Sequence, residues 1–137
     1  MKLDEFINKY INTNVDFDGA YGAQCVDLFR QYCKDVLQIP HTGAVEGAKD
    51  LYLNYNKLPL EKLHFEKCNN KSFRCGDVIV WDKTDFNRYG HVAIVISKTD
   101  DKVLVFEQNG IKQDGAKLAF KPLQNVLGIL RFRGGTK

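Results

Sequence analysis

The stretch Gly90-His91-Val92-Ala93-Ile94-Val95-Ile96-Ser97-Lys98-Thr99-Asp100-Asp101-Lys102-Val103-Leu104-Val105-Phe106-Glu107-Gln108-Asn109 decides the fold. Two short runs rich in β-branched and aromatic residues, 92–96 and 103–106, flank a polar break over 98–102. Such runs read as strands and the break as a hairpin turn, so the two strands lie side by side and antiparallel. Val78-Ile79-Val80-Trp81 and Leu127-Gly128-Ile129-Leu130-Arg131-Phe132 have the same texture and read as strands of the same sheet.

Upstream of this region the period changes. Leu3, Phe6, Ile7, Tyr10 and Ile11 fall at helical spacing over 3–11, and Asn12 to Gly19 break the pattern with turn formers. A second helix is expected over 25–37, from Val26, Leu28, Phe29, Tyr32, Cys33, Val36 and Leu37, with Pro40 as its stop signal. A third is expected over 45–55. Helices first and strands afterwards argue an α+β fold, with N-terminal helices packed on an antiparallel β-sheet.

A length of 137 residues suits one domain, 1–137, with a self-sufficient core. The 44% hydrophobic and 27% charged fractions are those of an ordinary soluble protein, and three prolines exclude proline-rich disorder. A net charge of +3 is too small to call for nucleic acid, though it suits an anionic surface. No run approaches the ~18 apolar residues of a membrane span. Asp4 and Glu5 stand where an export signal would be basic, so none is expected.

Four cysteines, at 25, 33, 68 and 75, could be two disulfides, a metal site or free thiols with one reactive. Cys25 follows a glycine-containing segment and opens the second helix. There the helix dipole and unpaired N–H groups favour a thiolate and could hold a developing oxyanion. A buried cysteine acting as a small hydrophobe is the competing reading; Cys33, on the apolar face, takes that role. No Cys-x-x-Cys or close Cys/His pair supports zinc.

A nucleophile needs a base. His41 and His64 read as incidental surface residues. His91 leads into the best strand behind Gly90, and the hairpin arithmetic returns Glu107 or Asn109 beside it. Either could orient the imidazole, or both could be ordinary polar residues at a strand end.

The blocks Asp16-Phe17-Asp18-Gly19-Ala20-Tyr21-Gly22-Ala23-Gln24-Cys25-Val26-Asp27, Gly76-Asp77-Val78-Ile79-Val80-Trp81, Gly90-His91-Val92-Ala93-Ile94-Val95 and Glu107-Gln108-Asn109, in this order, resemble a CHAP domain. CHAP domains are cysteine, histidine-dependent amidohydrolases/peptidases related to NlpC/P60 and papain-like enzymes, as in phage endolysins. The resemblance implies a papain-like CHAP fold and a peptidoglycan hydrolase that cuts an amide of the cell-wall peptide. It would be either an N-acetylmuramoyl-L-alanine amidase or an endopeptidase.

By the same resemblance Cys25 is the nucleophile, His91 the general base, Glu107 its orienting group and Asn109 a further polar member. Gln24 could help hold the oxyanion or substrate carbonyl, and Tyr21 and Trp81 could line the groove. Some phage-lysin members bind calcium before the nucleophile. Asp16, Asp18 and Asp27, with the backbone carbonyls of Ala20 and Gly22, occupy the matching positions and supply the oxygens calcium prefers. Asp27 also reads as an ordinary first-turn acid.

Under this reading Cys25 stays free, and Cys68 and Cys75 are unassigned or form a small loop disulfide. No organic cofactor is implied. A monomer with bacterial peptidoglycan as its partner is expected, without nucleic acid or membrane. Without an export signal it would reach the wall by holin-assisted release or virion packaging. The competing functions are a cysteine amidase or protease on a non-wall substrate, and a non-catalytic wall-binding or assembly domain.

Overall fold

The computed structural model describes residues 1–17, 24–40, 45–69, 72–109 and 114–134. It contains the helices α1 (Leu3–Tyr10), α2 (Cys25–Tyr32), α3 (Asp50–Leu53) and α4 (Pro59–His64). The strands are β1 (Phe65–Cys68), β2 (Val78–Trp81), β3 (His91–Lys98), β4 (Lys102–Gln108), β5 (Ala116–Pro122) and β6 (Val126–Phe132). They form one antiparallel sheet in the order β1-β6-β2-β3-β4-β5. The fold is α+β, as the order of periodicities required.

The hairpin forms where the polar break lies: Thr99 N–H donates to the Lys102 carbonyl at 2.9 Å and closes the turn. Pairing between β3 and β4 runs from Lys98↔Val103 to Ile94↔Phe106, with one register shift between Val95 and Ser97. Alternation then sorts the side chains. Val78, Val80, Val92, Ile94, Phe106 and Leu130 join the helices in the larger core cluster. Ile79, Trp81, Ala93, Val95, Val103, Val105 and Ile129 form a second cluster on the opposite face.

Helix α2 carries Leu28, Phe29 and Tyr32 into the larger cluster, and lies on β3 and β4. Each such fully buried side chain contributes about 1.5–3 kcal/mol. Phe6 of α1 is fully buried and meets the rings of Tyr32 and Phe106 at 5.7 and 6.0 Å, tying α1 to both α2 and β4.

Three sequence expectations need correction. The second helix is α-helical only to Tyr32 and finishes as a π-turn over Cys33–Leu37, ending at Gln38 in the left-handed conformation. The third shrinks to Asp50–Leu53 followed by a 3₁₀ turn at Tyr55–Lys57. Elements α4, β1 and β5 were not anticipated. Strand β5 escapes because it is an edge strand whose alternation is blurred. Leu118 and Phe120 are exposed, while Lys117 and Lys121 sit on its more buried side.

Candidate active site

The site lies at the open ends of β3 and β4. His91 and Glu107 both lie beyond the last paired residues, Ile94 and Phe106, on the face of the smaller cluster. A hairpin of this register makes them diagonal neighbours, within reach of long side chains. His91 Nε2 meets Glu107 Oε1 at 2.9 Å, and the Trp81 ring packs 5.5 Å from the imidazole. Gly90 allows this placement: its φ is +76°, and a Cβ there would stand 2.5 Å from the Trp81 carbonyl oxygen.

Cys25, half-buried and free, opens α2 from the helix side. The helix starts there because Gln24 is extended and its N–H donates to Asp27 Oδ2 at 3.0 Å, the acid of the first turn. The Nδ1 of His91 is buried with no hydrogen-bond partner among the described residues. With Nε2 held by Glu107, Nδ1 is the nitrogen left for the thiol. Cys25 acts on the ring through hydrogen bonding first and charge second, although at Nδ1 the contact falls short of an aligned hydrogen bond. Such contacts are often loose before substrate binds.

The charges are coupled. Burial alone would push His91 down, and it is the largest single influence. The Cys25 thiol and the Glu107 carboxylate together outweigh it and lift His91 to about 9. Burial likewise works against the Glu107 carboxylate, yet His91 and Lys121 hold it below its ordinary value. Lys121 Nζ stands 3.1 Å from Glu107 Oε2, an ion pair not aligned as a hydrogen bond. By contrast, burial pushes the Cys33 thiol strongly up, with Glu61 adding to the effect, so Cys33 is a packing residue.

Two amides beside Glu107 tie the site to its surroundings. The side chain of Gln108 is 0% exposed and faces the helix side. Its Oε1 accepts from Val15 N–H at 2.6 Å, and its Nε2 donates to the carbonyls of Val15 and Gln24, each at 2.8 Å. One side chain thereby holds both ends of the segment between Val15 and Gln24 against β4, and with it the residue preceding Cys25. Asn109 has φ +50°, and its Oδ1 accepts from Gly115 N–H at 2.8 Å. The strand stops at Gln108, so Asn109 does not continue the alternation that places Glu107 beside His91.

The remaining sequence candidates divide as follows. Asp18, Ala20, Tyr21, Gly22 and His41 lie outside the described residues. Asp16 is exposed, whereas Asp27 is 4% exposed and occupied at the helix cap, with Arg30 Nη1 3.9 Å from its Oδ1. The described part of the calcium set thus offers one open carboxylate, Asp16. Trp81 is a core residue that also walls a cavity of about 250 Å³ with His91, Lys121 and Pro122. Cys68 and Cys75 are free, and His64 sits at the end of α4, where its carbonyl accepts from Arg133 N–H.

Sequence reading missed Gln108 and Lys121. Gln108 was legible: it follows Glu107 in a strand, so it must face the helix side, where a buried amide needs partners. Lys121 was not, because its strand was not recognised.

Thiol, imidazole and carboxylate in this order can carry out nucleophilic acyl chemistry, and the α+β frame presents them at one sheet end. Residues 14–109 match the CHAP domain family model, and the chain belongs to that family. It is 32% identical over 123 residues to the endolysin PlyTW of Staphylococcus phage Twort, an alignment covering 79% of this chain and 23% of that endolysin. Among solved structures, Ly7917 is similar with a TM-score of 0.71 at 18% identity, covering 96% of this chain and 62% of that one. The wild-type endolysin LysIME-EF1 is similar with a TM-score of 0.65 at 21% identity, covering 96% of this chain and 64% of that one. The chain therefore spans about a quarter of the length of PlyTW and under two thirds of these structures. Among the described residues no helix is long and apolar enough to cross a membrane.

Proposed function

We propose that this chain is a peptidoglycan hydrolase domain that cuts an amide of the bacterial cell-wall peptide through Cys25 and His91. The carrying observation is His91 set between Cys25 and Glu107 in a CHAP chain similar to a phage endolysin.

In the proposed reaction the Cys25 sulfur attacks the amide carbonyl and a C–S bond forms. The oxyanion is held by first-turn N–H groups of α2. His91 gives its Nδ1 proton to the leaving nitrogen as the C–N bond breaks, leaving a thioester. Water, deprotonated by His91, then releases the carboxylate and restores the thiol. Glu107 keeps the imidazole oriented through Nε2. Asn109 supports the site indirectly, through its hold on Gly115, and Gln24 contributes its place before the nucleophile.

A calcium ion in the segment before Cys25 belongs to the proposal as a structural ion, with Asp16, Asp18 and the carbonyls of Ala20 and Gly22 as ligands. Asp27 stays at the helix cap. A monomer acting at the wall from the phage side, by holin-assisted release or from the virion, completes the reading.

The test uses purified cell walls. Cys25→Ala should abolish release of new amino termini, a loss of at least ~10³-fold, while the melting temperature stays near wild type. Mass spectrometry of the wild-type digest names the bond, amidase or endopeptidase. Full activity in Cys25→Ala would sink the mechanism.

A further inference from the structure

We propose that Lys121 is a positioning residue of this site: its ammonium holds Oε2 of Glu107, so that Oε1 is the oxygen presented to His91. The inference rests on Cys25 and His91 being the reacting pair.

The geometry is specific. The Glu107 side chain is 1% exposed, with Oε1 on His91 Nε2 at 2.9 Å and Oε2 near Lys121 Nζ at 3.1 Å. A buried carboxylate served on one oxygen only would leave the other uncompensated, at a cost large enough to turn or protonate it. Lys121 reaches it from β5, where the register Glu107↔Lys117, Val105↔Ala119, Val103↔Lys121 puts it on the same face.

Lys117 lies directly opposite Glu107, yet its ammonium is engaged by Asp114 at 2.9 Å. Lys121 is therefore the cation at Oε2. Its backbone is steadied as well: Trp81 Nε1 donates to the carbonyl of the next residue, Pro122, at 3.1 Å. The same indole packs on His91, so one side chain supports both partners of Glu107. Lys121 is 27% exposed, and it lines the same cavity as His91.

The charged groups facing this carboxylate are His91 from β3 and Lys121 and Lys117 from β5. Asp114 lies behind Lys117, and Asp82 lies on the cavity wall. Cys25 of α2 faces the imidazole. Without Lys121 the carboxylate turns away or takes up a proton, and its hold on the proton of His91 weakens.

The test needs no substrate. In an NMR titration of isotopically labelled histidines, with His91 assigned by its absence in His91→Ala, Lys121→Met should lower the His91 midpoint by roughly half a pH unit or more. Lys121→Arg should keep the wild-type midpoint. On cell walls, Lys121→Met should lower kcat several-fold with little change in KM, and Lys121→Arg should restore it. A midpoint that is unmoved or raised in folded Lys121→Met overturns the proposal, as does a Lys121→Arg variant that behaves like Lys121→Met. Lys121→Gln read the same way serves if the methionine variant does not fold. Failure of the wall-cleavage reading shows separately, as a wild-type protein that displays the NMR behaviour but releases no wall fragments.

Discussion

His91 Nε2 and Glu107 Oε1 stand 2.9 Å apart, although sixteen residues and a hairpin turn separate them in the chain. The contact fixes which face of the imidazole remains available. Because Glu107 takes Nε2, only Nδ1 can exchange a proton with a thiol at the start of α2. The site therefore depends on three elements meeting at one sheet end, and each prediction below disturbs one of those meetings.

The first concerns pH. His91 is raised from 6.5 to about 9, so the imidazolium persists across that interval only in the folded protein. Its contribution to stability is complete below about 6.5 and is lost as pH rises through about 9. If the imidazolium is the proton donor, kcat/KM should fall on the alkaline side near the same pH. Glu107→Gln removes the carboxylate that supports the charge, so the alkaline limb should move to lower pH. Melting curves and cell-wall rates between pH 6 and 10, taken together, check both statements; a limb unmoved by Glu107→Gln would exclude Glu107 from the proton economy of the site.

The second concerns Gln108. Gln108→Leu takes the side-chain partner from the Val15 N–H and carbonyl and one of the donors from the Gln24 carbonyl, which still accepts from Asp27 N–H at 3.0 Å. A buried polar group left unsatisfied costs about 1–3 kcal/mol, so urea unfolding should show at least that loss. Because the lost bonds hold the residue before Cys25, activity at a temperature where the variant is folded should fall further than the stability change explains. Equal losses would mean that Gln108 braces the fold without placing the nucleophile.

The third concerns calcium. Chelation should lower the melting temperature and calcium add-back restore it, with magnesium a poor substitute because it demands tighter octahedral geometry. Asp16→Asn should remove most of the calcium response. Asp27→Asn should instead destabilise the protein with or without calcium, because its carboxylate accepts the Gln24 N–H at the helix start. No thermal response to chelation would take the ion out of the account.

Much of this was written in the chain itself. The β-branched runs on either side of Lys98 to Lys102 determined a hairpin, because alternation and turn chemistry are local properties. They also determined that Glu107 or Asn109 would return beside His91, since the distances along a hairpin follow from counting. The helical spacing around Leu28 and Tyr32 determined that Cys25 would open a helix, and the order of elements determined an α+β fold.

Only the tertiary structure decided the rest. It showed that Gln108 reaches from β4 to Val15 and Gln24 on the helix side, a link between residues far apart in sequence. It revealed β5 and hence Lys121, because an edge strand with exposed Leu118 and Phe120 carries no clean alternation to read. It also committed Asp27 to the helix cap and turned Asn109 toward Gly115. The division has a physical reason. Periodicity records which way a side chain faces, but a polar side chain's partner depends on which distant element folding brings against it.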